Sequence, residues 1–270
     1  MNCPKISIIM GIYNCADTLD EAIESFINQT YTNWECIMCD DASADDTYNV
    51  AQKYVDSYPG KFILIRNENN KGLNYTLNKC LKHATGEYIA RMDGDDVSLP
   101  LRFEKELSFL MNNPKYSIVS TQMEYFDENG VYGRSYMDQI PIADSFVHGT
   151  PFCHAPCMVK KSAYDAVDGY TIDKKLLRAE DYHLWIKMYS AGFIGANLTE
   201  VLYRMRNDRN AVNRRKFRYR LNEVYVKYQA IKQLKLPKRK LIYVFKPIIA
   251  GIIPKKIYKI IHRISLSKNI

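Results

Sequence analysis

The first 121 residues alternate short apolar runs with segments of helical periodicity, a pattern typical of a sheet whose strands are joined by crossover helices. The apolar runs predict five strands, Ile6–Met10, Glu35–Cys39, Phe62–Arg66, Tyr88–Met92 and Tyr116–Thr121. Four consecutive crossovers favour a mostly parallel central sheet that is buried by helices on its faces. The sequence therefore predicts an α/β fold for this half.

Polar residues at fixed spacing predict where the first two helices begin. Thr18 precedes Glu21 by three positions and Ser43 precedes Asp46 in the same way, which is the spacing of a capping box. Two further helices are predicted, over Leu73–Ala84 and after Pro100.

The periodicity becomes mixed after residue 122. The turn sequence at 127–130 lies between two runs of strand character, Met123–Phe126 and Val131–Ser135, and predicts a hairpin. A helix over Asp181–Ala191, strands Ile194–Asn197 and Val201–Met205, and a helix over Arg214–Leu234 follow. We therefore divide the chain at residues 1–122, 123–213 and 214–270, the last being a basic helical extension.

Charge is distributed unevenly along the chain. The formal net charge is +8, and residues 224–270 contain 12 Lys and Arg but no Asp or Glu. The other 26 of the 38 basic residues accompany 30 acidic residues in the first 223 positions. This pattern predicts a basic arm that meets anionic lipid, and it disfavours a nucleic-acid-binding protein, whose positive charge usually covers a folded docking face.

Three features predict a cytoplasmic protein at the inner face of the plasma membrane. The amino terminus has no basic region followed by a long apolar segment, so no export signal is predicted. Seven irregularly spaced cysteines favour reduced thiols. The apolar run 241–253 is interrupted by Lys246 and Pro247, and it is shorter than the ~20 residues of a membrane span. The arm is predicted to lie on the membrane, or alternatively to pack as a helix pair or an oligomer contact.

Acidic residues follow several of the predicted strands. Asp40 and Asp41 follow the second strand, and Asp93, Asp95 and Asp96 follow the fourth. In an open parallel sheet these carboxyl ends form the ligand-binding edge. Carboxylates so close together repel one another unless a cation neutralises them, and oxygen ligands suit Mg²⁺ or Mn²⁺ that also binds substrate phosphates. The pattern predicts a diphosphate-bearing substrate.

Other interpretations of this acidic segment are weaker. An isolated Asp-x-Asp is most often a solvated turn. An EF-hand lacks its downstream Gly and Glu, and the chain contains neither the Gly-rich dinucleotide motif after the first strand nor a P-loop. Phosphate is therefore expected to be held through metal.

Three stretches occur in a recognisable order, PKISIIMGIYNCADTL, GEYIARMDGDDVSLP and RAEDYHLWIKM. Together they resemble the inverting nucleotide-sugar glycosyltransferases of family 2, which have the GT-A fold, a Rossmann-like sheet flanked by helices. The similarity runs from about residue 4 to about residue 205. It implies that 1–122 binds the nucleotide sugar and that 123–213 binds the acceptor and carries the catalytic base.

The resemblance implies roles for four residues on the donor side. Tyr13 stacks on the nucleotide base and Asp41 hydrogen-bonds it, in keeping with the chemistry of an aromatic face and a carboxylate. Asp93 approaches the ribose and takes part in metal binding, and Asp95 binds the metal that bridges the diphosphate. A core position for the tyrosine is the alternative.

The resemblance also implies roles for residues near the predicted base. Asp181 is the general base, and without the motif Glu180 and Asp181 would be a charge pair at a helix amino terminus. His154 is an acceptor or phosphate contact, or a structural histidine. Trp185 packs to orient the base or stacks on the acceptor. Arg206 stands where many relatives carry a metal-binding His, and it is expected to pair with the leaving diphosphate.

We therefore predict a Mn²⁺- or Mg²⁺-dependent inverting hexosyl- or N-acetylhexosaminyltransferase. It adds one sugar from a nucleoside-diphosphate sugar, most simply a UDP-sugar, to a glycan or lipid-linked acceptor in bacterial-type surface polysaccharide or lipooligosaccharide synthesis. The alternatives are a metal-dependent nucleotidyltransferase and a non-catalytic sugar- or lipid-binding protein on the same fold.

Overall fold

The computed structural model describes residues 3–207 and 218–252, with the side chains of residues 250 and 252 excepted. The strands are β1 (Ile6–Ile12), β2 (Trp34–Asp40), β3 (Phe62–Arg66), β4 (Tyr88–Asp93), β5 (Val97–Ser98), β6 (Tyr116–Asp127), β7 (Gly130–Arg134), β8 (Met158–Lys160) and β9 (Ile194–Arg206). The helices are α1 (Ala16–Ile27), α2 (Thr47–Ser57), α3 (Leu73–His83), α4 (Arg102–Asn112), α5 (Lys161–Ala166), α6 (Glu180–Ser190), α7 (Arg218–Gln233) and α8 (Lys246–Ile252). Short 3₁₀ helices cover Ala143–Val147, Lys174–Leu176 and Lys238–Phe245.

The described strands form one sheet in the order β3-β2-β1-β4-β8-β6-β9-β5, and β7 pairs with β6. The first four strands are parallel, and β6 is parallel to β9, so the predicted mostly parallel sheet is confirmed. The fifth predicted strand, β6, is not beside β4. The short strand β8 lies between them and is antiparallel to both.

Helices bury both faces of this sheet. One face packs against α1, α2 and α4, through residues such as Leu19 and Phe103, and the other packs against α3, α6 and α7. Strand β1 contributes alternately to both clusters, with Ile8 in the first and Ile9 in the second. The continuous apolar run of β1 is explained by this burial on two sides.

Both predicted capping boxes are wrong. Helix α1 begins at Ala16, and Thr18 donates to the Gly94 carbonyl at 2.9 Å, so its hydroxyl binds the acidic loop. Helix α2 begins at Thr47, and Ser43 Oγ accepts from the backbone amide of Asn14 at 3.0 Å. Both hydroxyls make tertiary hydrogen bonds, which residue spacing does not reveal.

The predicted hairpin between β6 and β7 is confirmed. The two strands predicted over 194–197 and 201–205 form one strand, β9, because β6 pairs with it over most of its length, and shifts in register accommodate the interruption. Strand β6 crosses the predicted division at residues 122 and 123, so the two halves share one sheet. The predicted start of the long helix, Arg214, lies outside the described residues.

The described part of the C-terminal extension packs on α7. Val244 is buried with Val147 and Ile231, and Lys240 Nζ forms an ion pair with Asp144 at 2.6 Å. In residues 3–207 and 218–252, no helix combines the length and the apolar character that a membrane span needs. The part of the predicted arm beyond residue 252 lies outside the described residues.

Candidate functional site

The carboxyl ends of β1, β2 and β4 lie side by side at one edge of the sheet. In the parallel register, Ile12 is opposite Asp40 and Gly11 is opposite Asp93. Tyr13 and Asp41 each follow one of these strands directly. The fold therefore brings the donor-side residues of β1, β2 and β4 to the same edge, as the strand pattern predicts.

Tyr13 is half exposed, at 50%, and is not a core residue. The next residue, Asn14, has a positive φ of 48° and is held by its side chain, which accepts from the Ala44 amide at 2.8 Å. This turn ties the end of β1 to the segment that follows β2. The ring therefore stands on a fixed turn with a free aromatic face.

Asp41 is almost fully buried and organises the segment before α3. Its Oδ1 accepts from Asn67 Nδ2 and the Lys71 amide, and its Oδ2 accepts from the Gly72 amide, all at 2.8 Å. Gly72 has a φ of +85°, which a residue with a side chain rarely adopts. The carboxylate thus has a structural task that the sequence did not indicate.

Two basic residues lie against the acidic loop after β4, Arg206, which the resemblance assigns to the site, and Arg91, which the sequence pattern did not assign to it. Arg91 Nη2 is 2.5 Å from Asp93 Oδ1, and the guanidinium is only 5% exposed. The backbone amide of Arg206 donates to Asp96 Oδ1 at 2.8 Å. The expectation that only a metal ion offsets these carboxylates is therefore incomplete, because Arg91 pairs with one of them.

Arg206 lies at the end of β9 against this loop. Its Nε donates to the Asp95 carbonyl at 3.0 Å, its Nη2 pairs with Glu21, and its guanidinium lies 4.5 Å from the centre of the Phe126 ring. It occupies the place that the resemblance gives to a metal-binding His, and it lies beside Asp95, the predicted metal ligand. Its pairing with a diphosphate stays a prediction.

The chemistry of the acidic loop fits a divalent cation that is shared with a substrate. Burial, followed by the charge of Asp93, raises the pKa of Asp95 to about 6, and burial also raises the pKa of Asp96 well above its usual range. A bound cation would relieve this repulsion. No group of three or more His, Cys, Asp or Glu residues in the described ranges forms a metal site, so remaining ligands would come from water and phosphate.

Asp181 is the second residue of α6 and is partly buried. Thr150 Oγ1 donates to its Oδ2 at 3.4 Å. Burial raises the pKa of Asp181 to about 6, the neighbouring Glu180 contributes to the rise, and the positive charge of Arg91 opposes it. Arg91 therefore acts electrostatically on the acidic loop and on the predicted base, which links the two halves of the site.

His154 is partly buried and Trp185 fully buried near this base. His154 Nε2 is 2.8 Å from the Tyr170 hydroxyl, and burial lowers the pKa of the imidazole well below its usual range. The Trp185 ring is fully buried and contacts the rings of His154 and Phe152 edge-on. Stacking on an acceptor would need an exposed ring, whereas Trp185 packs from α6 into the buried core.

Arg91 and Thr150 are site residues that the sequence analysis missed. Arg91 is the one charged residue between Ile89 and Met92 in a strand that is buried on both faces, and this isolated charge is a usable signal. Thr150 has no such signal, because its contact with Asp181 joins residues 31 positions apart.

Comparison with known proteins identifies the family. The family model described as glycosyl transferase family 2 matches residues 7–167. The putative glycosyltransferase EpsE of Bacillus subtilis (strain 168) is 45% identical over 260 residues, which cover 96% of this chain and 94% of EpsE. The E. coli protein WfaP, a UDP-Glc:alpha-D-GlcNAc-diphosphoundecaprenol beta-1,3-glucosyltransferase, is 30% identical over 214 residues, 74% of this chain and 77% of WfaP.

Solved structures share the fold at low sequence identity. The structure of S. aureus TarS 1-349 in complex with UDP-GlcNAc matches with a TM-score of 0.71 at 17% identity, over 90% of this chain and 73% of that one. The mannosyltransferase PcManGT from Pyrobaculum calidifontis, in complex with GDP-Man and Mn²⁺, matches with a TM-score of 0.62 at 17% identity, over 92% and 75% of the two chains. The predicted GT-A fold is confirmed by these likenesses. The sheet edge, the family match and the close relatives lead to one conclusion: this chain is a glycosyltransferase that belongs to glycosyl transferase family 2.

Proposed function

We propose that the protein transfers one sugar, with inversion, from a UDP-sugar to a hydroxyl of a lipid-linked glycan during surface polysaccharide synthesis. The observation that carries the proposal is the position of Arg91, which pairs with Asp93 and also acts on the pKa of Asp181. This shared influence of Arg91 supports the assignment of the donor-side carboxylates and the base candidate to one site. The E. coli relative is named for a UDP-Glc donor and a diphosphoundecaprenol acceptor, which supports this choice of substrates.

The donor site would use the edge formed by β1, β2 and β4. The exposed ring of Tyr13 offers a stacking face for the uracil, and Asp41 Oδ2, which accepts one hydrogen bond at 2.8 Å, retains a lone pair for a base N–H. Asp93 would approach the ribose and Arg206 the diphosphate. The TarS structure, which holds UDP-GlcNAc, supports a uridine donor on this fold.

Asp95, with Asp93, would hold Mn²⁺ or Mg²⁺ at the diphosphate. When bound, the metal supplies positive charge that stabilises the departing diphosphate. The raised pKa of Asp95 supports the assignment, because a carboxylate that is costly to ionise alone gains most from a cation. The PcManGT structure contains Mn²⁺ on this fold.

Asp181 would act as the general base of the transfer. The acceptor oxygen attacks the anomeric carbon, its proton passes to the Asp181 carboxylate, and the bond between the anomeric carbon and the UDP oxygen breaks. The configuration inverts in this single displacement, without a covalent intermediate. A carboxyl pKa of about 6 suits this task, since the group is ionised at neutral pH yet accepts a proton more readily than an ordinary aspartate.

The C-terminal extension would hold the enzyme at an anionic membrane surface. Ile242, Phe245 and Ile249 are exposed, at 73%, 57% and 64%, on a segment that also carries Lys238 and Lys246. Apolar side chains between cations suit the interface of an anionic leaflet. A lipid-linked acceptor explains why a transferase would need this contact.

The Asp181→Asn variant tests the function directly. We expect it to bind UDP like the wild type and to lose transfer by about a thousandfold, because the amide cannot accept the proton. UDP binding is measured by thermal shift with and without Mn²⁺, and transfer is measured as UDP release in the presence of lipid-linked GlcNAc diphosphate. Asp165→Asn is the matched control, since Asp165 is an exposed partner of Lys161 on α5.

Two results would reject the proposal. Transfer at the wild-type rate by Asp181→Asn would show that Asp181 is not the general base. A melting temperature that no uridine nucleotide raises, with or without metal, would remove the UDP donor.

A further inference from the structure

A cleft of about 230 Å³ opens beside the predicted base. Its lining residues are Tyr136, Met137, Asp138, Pro141, Ser145, His148, Gly149, Thr150 and Pro151. The volume is below the roughly 300–1,000 Å³ of sites for drug-sized ligands, so the cleft suits a group of the size of one sugar ring. None of the donor-side candidates from β1, β2 or β4 is among its lining residues.

Buried polar side chains hold in place the backbone of three lining residues, Met137, Asp138 and Pro151. Asn197 on β9 is 4% exposed, and its Nδ2 donates to the Asp138 carbonyl at 2.7 Å and to the Pro151 carbonyl at 3.0 Å. Gln122 on β6 accepts from the Met137 amide at 3.0 Å and donates to the Met137 carbonyl at 3.2 Å. Asn197 thus joins two segments of the cleft through a single amide.

A buried lysine holds another part of the lining, at His148. Lys227 on α7 is 5% exposed, and its Nζ donates to the carbonyls of Val147 at 2.7 Å and His148 at 3.2 Å. Burial, with a contribution from Lys246, lowers the pKa of Lys227 to about 8. Loop backbone that is bonded by buried side chains from β6, β9 and α7 is rigid, as a preorganised binding site requires.

The side chains that face the cleft remain exposed. The Tyr136 ring is 76% exposed, and Asp138 and His148 are exposed as well. An aromatic face packs against the C–H face of a pyranose, and a carboxylate accepts hydrogen bonds from its hydroxyls. The lining therefore has the chemistry of a carbohydrate site.

Thr150 connects the cleft to the reaction centre, since it lines the cleft and its hydroxyl donates to Asp181 Oδ2 at 3.4 Å. We propose that this cleft binds the acceptor sugar whose hydroxyl attacks the anomeric carbon of the donor, with Tyr136 and Asp138 as its specificity-determining contacts. The inference rests on the proposed function and adds the place and the chemistry of acceptor recognition. Sugar bound here presents its hydroxyl to the base, while the rest of the acceptor extends out of the cleft.

Binding of simple sugars tests this inference without knowledge of the natural acceptor. The probes are the methyl pyranosides of glucose, galactose and N-acetylglucosamine. Their binding to the full chain is measured by saturation-transfer NMR with UDP and Mn²⁺ present. We expect at least one pyranoside to bind the wild type, and Tyr136→Ala and Asp138→Asn to weaken that binding about tenfold. Tyr228→Ala, which removes a half-exposed tyrosine from α7, is the matched control and should bind as the wild type does.

UDP affinity measured on the same samples separates this inference from the donor proposal and reports on folding. If UDP binds but no pyranoside binds the wild type, the cleft assignment is wrong and the donor site stands. Equal pyranoside affinity in the wild type, Tyr136→Ala and Asp138→Asn would overturn it as well. Failure of UDP itself to bind would reject the donor proposal instead.

Discussion

At the residue scale, Arg91 is a buried cation that acts on both the donor-side carboxylates and the predicted base. It is 5% exposed, it pairs with Asp93, and its backbone amide donates to the Cys157 carbonyl at 3.0 Å. Its positive charge opposes the rise that burial causes in the pKa of Asp181, and it adds to the fall that burial causes in the pKa of His154. This guanidinium offsets part of the repulsion among the carboxylates, together with that of Arg206, whose charge also lowers the pKa of Asp95.

Loss of this guanidinium is expected to destabilise the fold. Arg91→Met leaves Asp93 and the buried Asp96 without the cation, and we expect a loss of about 3 kcal/mol in the free energy of unfolding. Urea denaturation at pH 7 measures this loss. Arg204→Met is the control, because its pair with Glu124 is largely exposed and contributes about 0–1 kcal/mol. Equal stability of the two variants would show that Arg91 is not required to balance the loop.

The pH dependence of transfer follows from the pKa of Asp181. Because the base acts in its ionised form and its pKa is about 6, kcat should be constant near pH 8 and fall about tenfold per pH unit below pH 6. In Glu180→Gln the fall should move to lower pH, since the charge of Glu180 raises the pKa of Asp181. The measurement is kcat at saturating UDP-sugar, because the pKa of Asp95 is also about 6 and affects donor binding.

A kcat that does not change through pH 6 would contradict the role of Asp181 as the base. An unshifted profile in Glu180→Gln would contradict the electrostatic origin of the raised pKa.

At the element scale, close packing between β6 and β9 positions the second half of the site. Gly195 on β9 lies so near its neighbours that a Cβ there would be 2.5 Å from Phe152 Cζ and 2.9 Å from the Ile118 carbonyl oxygen. Phe152 in turn contacts Trp185 of α6. The small residue therefore sets the distance between the strand pair and the helix that carries Asp181.

Gly195→Ala should push these elements apart. We expect a loss of about 2 kcal/mol in the free energy of unfolding, since the added methyl meets backbone and a packed ring that cannot yield easily. Chemical denaturation measures the change. Gly149→Ala is the control, because a Cβ there meets no atom within 4 Å, and a similar loss in both variants would show that the tight contact is not the cause.

The bounds of the strands and helices show which elements local sequence patterns predict. The apolar runs predict the bounds of β1, β2 and β4 within two residues, because strands buried on both faces have continuous apolar runs. The bounds of the partly exposed edge strand β3 also match the prediction. The three-residue strand β8 escaped prediction, since its pairing with β4 and β6 depends on contacts distant in sequence. The first two helices begin at residues other than the predicted ones, because the hydroxyls of Thr18 and Ser43 form hydrogen bonds with Gly94 and Asn14 and do not cap the helices.

At the scale of the whole molecule, the extension lies next to the acceptor side. The ring of His148, which lines the cleft, contacts the ring of Tyr243 at a centroid distance of 5.0 Å, and Lys240 pairs with Asp144. The exposed apolar residues Ile242 and Phe245 occur in this same segment. A membrane held there would lie near the cleft.

Vesicle binding tests this contact. We expect the full chain to sediment with vesicles that contain phosphatidylglycerol at low salt, and to bind phosphatidylcholine vesicles much less, because the attraction to cationic residues is lost. Phe245→Asp should weaken binding about tenfold, since it removes apolar area and adds a repelled charge. Ile172→Asp, which alters an equally exposed apolar residue outside the extension, should have no effect. Binding that is independent of lipid charge or equally weakened by both changes would reject the contact.

The sequence by itself determined the α/β class, the sheet edge on which Tyr13, Asp41 and Asp93 lie, and the family. These follow from local patterns, because strand periodicity and the residues directly after a strand are fixed by chain order. Only the tertiary structure decided that Arg91 pairs with Asp93, that Asn197 and Lys227 hold the cleft, and that Thr150 reaches Asp181. Most of these contacts join residues far apart in the chain, and they form only when burial forces polar groups to find partners across the core.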